Sequence, residues 1–204
     1  MAQPFDQKAS CEAAGDLDTG LGEFWLENPW QPTEHNLSAF ERNRILLNTT
    51  DGRFADVSQA SGDADLDSDS RSVVAADFTS DGMPDLLVRS SGGGPLRLFT
   101  NKFPQRNWVR ISLQGTQSNR RGLGARLIAH IGQREICREL QAPSGFQGQS
   151  PPEVIFGLQD DLQIDRLMIE WPSGTRQQIN SLAANHHFRI TESESEPESF
   201  PVAR

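Results

Sequence analysis

Val73-Val74-Ala75-Ala76-Asp77-Phe78-Thr79-Ser80-Asp81-Gly82-Met83-Pro84-Asp85-Leu86-Leu87-Val88 is the stretch on which the fold turns. Its flanks are short, β-branched and aliphatic, which is the composition of strands. Between them, oxygen-bearing side chains fall at loop positions one, three, five and nine, as Asp77, Thr79, Asp81 and Asp85, and Gly82 at position six permits a sharp bend. With the Met83 carbonyl at position seven, these hard oxygens suit Ca2+, which takes oxygen ligands in a flexible shell. A helical calcium hand would need a bidentate Glu at position twelve, where Val88 stands. The expectation is a strand-loop-strand calcium site formed by Asp77, Thr79, Asp81, Met83 and Asp85. The alternative at the same residues is a solvated Asp-Gly turn.

Upstream, Ile45-Leu46-Leu47 and the alternating Phe54 and Val57 flank Asp51-Gly52, a pair suited to positive-φ turn positions, so a hairpin is expected there. Asp63, Asp65, Asp67 and Asp69 alternate in a second acidic stretch without the glycine, and Asp65, Asp67 and Asp69 are candidates for secondary contacts to the cation. Strands are expected over 72–77, 85–89 and 96–100. From Trp108 a second series begins: Trp108 to Leu113 alternates, Ala125 to Ile131 is apolar-rich, and Val154-Ile155-Phe156 and Ile164 to Trp171 continue it. Alternation over the last run puts Ile164, Arg166, Met168 and Glu170 on one face, and Asp165, Leu167, Ile169 and Trp171 on the apolar other.

The resulting organisation is an irregular arm over 1–40, a first module over 41–103, a second over 104–191, and a Ser-Glu-Pro tail over 192–204 whose composition predicts disorder. The fold class is all-β. Seventeen glycines and twelve prolines in 204 residues, with no helix-length periodic stretch, agree with short strands joined by turns. A net charge of -9 disfavours nucleic acid and anionic membranes. No 18-residue apolar span is present, so no membrane span is expected. The first 25 residues carry no apolar signal region. Cys11 and Cys137 are too few for a disulfide framework or a zinc cluster, and Cys137 reads as a packed strand residue.

Taken together, these runs resemble the C-terminal region of cartilage acidic protein-like proteins, in which an integrin-type FG-GAP (VCBS) repeat precedes an ASPIC and UnbV domain. The first part is carried by NRILLNTTDGRFADVS (43–58) and VVAADFTSDGMPDLLV (73–88). The second is carried by NWVRISLQG, SNRRGLGARL (118–127), REI (134–136), GFQGQS (145–150), IFGL (155–158) and DRLMIEWPSG (165–174). The resemblance implies a propeller-type blade packed with a small β-sandwich or barrel-like domain. It further implies a secreted, cell-surface or periplasmic setting, calcium-dependent stability or adhesion, and no catalytic activity. Partners are then proteins or glycans at a cell surface or in the extracellular medium. One repeat is visible, whereas a closed propeller takes at least about four blades.

Other candidates read more simply. The loop Ser118 to Arg126 lacks the helix a phosphate cradle would need, and reads as a tight turn. His186 and His187, adjacent on a strand, point to opposite faces. The rival function is a carbohydrate-binding module using Trp171, Trp108 or Phe146 as a stacking platform.

Overall fold

A computed structural model describes residues 43–49, 51–64, 70–90, 96–142, 145–146 and 148–201. These are nearly all β: thirteen strands and one short 3-10 segment at Gln59–Ala64. The N-terminal arm, Cys11 and the acidic trio Asp65, Asp67 and Asp69 lie outside the described residues. The chain divides into two compact units. One holds the described residues up to Val74 and those of Leu86–Phe99 and Gly145–Gly148. The other holds Ala75–Asp85 and the described residues of Thr100–Ser144 and Gln149–Arg204.

The first unit contains the expected hairpin, β1 (Leu46–Asn48) antiparallel to β2 (Phe54–Asp56), with Leu47 opposite Ala55. Gly52 takes φ 81° at its turn, and Asp51 Oδ1 accepts a hydrogen bond from the Arg53 N–H at 3.2 Å. A three-stranded sheet follows in the order β3 (Ser70–Ala76), β4 (Asp85–Ser90), β5 (Arg97–Phe99), with Leu86 opposite Phe99. The strand ends Ala75–Ala76 and Asp85, which bound the acidic loop, belong to the second unit.

The second unit is a sandwich of two four-stranded sheets. One has the order β11 (Arg176–Ala183), β10 (Gln163–Glu170), β7 (Arg126–Ile131), β8 (Arg134–Glu139). The other has the order β13 (Glu198–Pro201), β12 (His186–Thr191), β6 (Asn107–Gln114), β9 (Glu153–Gln159). β6 and β12 run parallel, with Phe188 opposite Ile111, and the other neighbours run antiparallel. Alternation sends Val109, Ile111 and Leu113 of β6 into the core, with Phe156, Leu127, Leu167 and Ile190, and turns Arg110 and Ser112 to the other face.

Alternation in β10 breaks once. Ile164 and Leu167 are both buried while Asp165 and Arg166 between them are exposed, so Ile164 joins the apolar face rather than that of Arg166. The partner strand changes phase at the same level, with Leu182 and Ile179 buried and Ser181 held at φ 57°. A left-handed residue rotates the strand about its axis, and both core faces are kept only because the two strands shift together. Cys137 also departs from expectation: it is exposed on β8, with Arg126 Nε 3.1 Å from its Sγ.

Residues 192–201, expected to be disordered, are built into the sandwich. β13 pairs with β12, and Glu192 is buried. Its Oε2 accepts the N–H groups of Thr116, Gln117 and Ser118, each at 2.8 Å, and its Oε1 accepts the Ser118 hydroxyl at 2.9 Å and the Ser173 hydroxyl. Composition treats each Glu as a solvated charge, but three convergent backbone donors outweigh the solvation one of them gives up. Burial alone would raise the Glu192 pKa. The Ser118 N–H, the Ser173 hydroxyl and the Gln117 and Thr116 N–H groups overcome it and bring the carboxyl from 4.5 down to about 2.

Two expectations follow. Because the folded pKa of Glu192 is the lower one, its stabilisation is complete above pH 4.5 and is lost as the pH falls from there towards about 2. Glu192→Gln should flatten the acid limb of melting temperature against pH, and Glu192→Ala should cost about 2–3 kcal/mol at neutral pH. Trp171, 3% exposed and donating Nε1–H to Gln177 Oε1 at 2.8 Å, is a core residue. Urea titration of Trp171→Ala should show a loss of about 3–5 kcal/mol.

Candidate functional site

The acidic loop closes on its own backbone. Asp77 Oδ1 accepts the Asp81 N–H at 3.0 Å and Oδ2 the Gly82 N–H at 2.8 Å, while Asp81 Oδ1 accepts the Met83 N–H at 2.9 Å. Asp85, buried, works in the opposite direction: its Oδ2 takes the Phe78 and Thr79 N–H groups at 3.0 Å and the Thr79 hydroxyl at 3.2 Å, and its Oδ1 takes the Asn101 N–H at 2.8 Å. The spacing that suggested a ligand set thus also brings two carboxylates within reach of orphan N–H groups at each end of the turn.

Gly82 is fixed twice over. Its φ of 88° is one an L-residue rarely adopts, and a Cβ there would collide with the indole of Trp108. Ser80, two residues earlier in the same loop, sits at φ 59°. On its other side the loop meets Arg110, from the outward face of β6. The Arg110 Nη2 is hydrogen-bonded to Asp77 Oδ2. The Asp77 side chain is 0% exposed and that of Arg110 14%. The guanidinium stands 5.5 Å from the Trp108 ring centroid, and its Nε is buried without a hydrogen bond, 3.6 Å from Glu153 Oε1. Burial raises the Glu153 pKa, Arg110 opposes this, and Asp77 adds to it.

Ser112 and His187 share the outward face, with Oγ and Nε2 2.9 Å apart. Burial, then Arg110 and Arg189, lower the His187 pKa. His186 lies on the opposite side of β12, its ring stacked near Phe188 at 5.9 Å.

The donor set fits calcium in kind, since Asp77, Thr79, Asp81, Asp85 and the Met83 carbonyl are all hard oxygens on one short loop. In this arrangement the carboxylates face N–H donors and Arg110. Among the described residues no three His, Cys, Asp or Glu side chains converge as a ligand group. Arg110 had no signal in the sequence, standing 33 residues from Asp77. The outer rim of the loop forms one wall of a cleft of about 530 Å³, lined by Ser80, Asp81, Gln105, Asn107, Gln159 and Asn185 among others. Three of these, Ser80, Gln159 and Asn185, hold non-glycine positive φ. Asn185 Nδ2 donates to Asn107 Oδ1 at 2.9 Å and Gln105 Nε2 donates to the Asp81 carbonyl at 3.0 Å, so the turns around the cleft are tied together. Of the three aromatic platforms considered for a sugar, Trp171 and Trp108 are buried, and Phe146 alone is exposed.

The class of protein defined by these features is an all-β module: a two-sheet sandwich whose outer face holds a hydrogen-bonded acidic turn. Residues 36–88 match the family model of the FG-GAP-like repeat, a match that includes the whole loop. Residues 115–197 match that of ASPIC and UnbV, which takes in β7 to β12 and the buried Glu192. The two matches fall in the order the motifs suggested. No curated protein matches the chain significantly. No helix among the described residues is long and apolar enough to cross a membrane.

Gly82→Ala should be costly for two reasons, the left-handed φ and the Trp108 contact. Equilibrium unfolding should show a loss above about 2 kcal/mol, with Trp108 fluorescence altered in the folded state.

Proposed function

We propose that the chain is a non-enzymatic calcium-binding interaction module of extracellular or periplasmic type, acting as a scaffold between proteins or glycans in the manner of cartilage acidic protein-like proteins. The observation that carries this reading is the Asp77–Asp85 loop itself, with five oxygen donors on a glycine-bent turn inside the FG-GAP-like match. Calcium's part is structural: it would neutralise Asp77, Asp81 and Asp85 and hold the turn that walls the cleft. The coupling of binding to folding stabilises the protein by RT ln(1 + [Ca]/Kd), about 2.7 kcal/mol at a hundredfold excess over Kd.

Thermal melting with calcium and with chelator tests it. The wild-type protein should melt higher in calcium, and Asp81→Ala should lose that difference, because Asp81 is the central charged ligand. An Asp81→Ala protein that keeps the full calcium response would remove the site assignment. The carbohydrate reading retains two footholds, the exposed Phe146 and the amide-lined cleft beside Asp81. Glycan binding that survives Asp81→Ala would favour it over the calcium scaffold.

A further inference from the structure

The two carboxylates that flank Arg110 are unequally served. Asp77 holds its Nη2, while Glu153 Oε1 lies 3.6 Å from an Nε that has no hydrogen-bond partner. All three side chains are mostly buried, at 0%, 14% and 18% exposed for Asp77, Arg110 and Glu153. One guanidinium is thus shared by two carboxylates in a poorly solvated place, and one negative charge remains uncompensated. A shift of about half an ångström would bring Nε into hydrogen-bond range of Glu153. The guanidinium lies over the Trp108 ring at 5.5 Å from its centroid, a cation–π contact loose enough to persist through a movement of that size. His187, which feels Arg110 and Arg189 on the same outward face, carries no negative charge to hold the guanidinium back.

We propose that Arg110 is the resident cation of the loop: in the metal-free protein it neutralises Asp77 and keeps the turn closed, and a divalent cation bound by the loop displaces it onto Glu153. The inference rests on the calcium reading for its second half. Arg110 and calcium compete for Asp77, so the arginine lowers calcium affinity while making the folded loop independent of the metal. Glu153 acts as the receiving site that makes the displacement reversible.

The test uses the full chain with Arg110→Met, Arg110→Lys and Glu153→Gln, each melted in chelator and in calcium and titrated with calcium by calorimetry. In chelator, Arg110→Met should melt at least about 5 °C below wild type, with Arg110→Lys between them because it keeps the charge. In calcium, Arg110→Met should recover most of that deficit and bind the metal about fivefold or more tightly than wild type. Glu153→Gln should bind calcium more weakly than wild type. Should Arg110→Met fold only when calcium is present, that also supports the displacement; should it fold in neither condition, the Glu153→Gln affinity decides. Equal, measurable calcium responses in wild type and all variants overturn the inference while leaving the calcium reading standing. No calcium response in any of them overturns both.

Discussion

β6 is committed on both faces, and the arrangement of the second unit depends on that commitment. Its inward residues Val109, Ile111 and Leu113 sit at the centre of the core between β12 and β9, and its outward Arg110 holds the acidic loop through Asp77. Because side chains alternate along a strand, a slip of one residue would exchange the two sets, burying Arg110 in the sandwich and presenting Ile111 to a carboxylate. The register is therefore specified from opposite sides by two unrelated forces, apolar burial and ion pairing. That explains how an acidic turn is held in one place against the sheet, with Arg110 answering Asp77 across the contact.

Glu192 plays the corresponding role at the other end of the chain. Three successive N–H groups at 116–118 point to one place, and the carboxylate that fills it comes from just past β12. The turn after β6 and the start of the last segment are thereby joined by one side chain. The Arg-rich loop that follows, read from sequence as a tight turn and not as an anion cradle, does turn tightly, with Gly122 and Gly124 at positive φ. The anion-binding donors lie at its first residue and just before it, and their anion is internal.

Much of the fold was legible because it is local. The Asp51-Gly52 hairpin, the strands around the acidic loop, and the alternation of 108–113 and of 167–171 are all properties of short windows, and the structure has them. What was not legible depends on distant partners. Arg110 acquires its meaning from Asp77, 33 residues before it, and Glu192 from Thr116, 76 residues before it. Composition could not separate Glu192 from the acidic residues that follow, since the difference lies in what awaits it. The burial of Ile164 beside an exposed Asp165 needed the coordinated phase change at Ser181, which no window on β10 alone contains.

The position of β13 bears on how this module behaves in a crowded solution. Among the described residues it is an outermost strand of its sheet, short, opening with Glu198 and ending in Pro201, which has no N–H to offer. β8, at a border of the other sheet, carries Arg134, Glu135, Arg138 and Glu139. Such borders resist pairing with the strands of other molecules. A proteolytic nick that freed β13 would uncover β12, six residues long with Phe188 and Ile190 in its length, as a new border. By covering the border of β12, β13 thus guards against self-association.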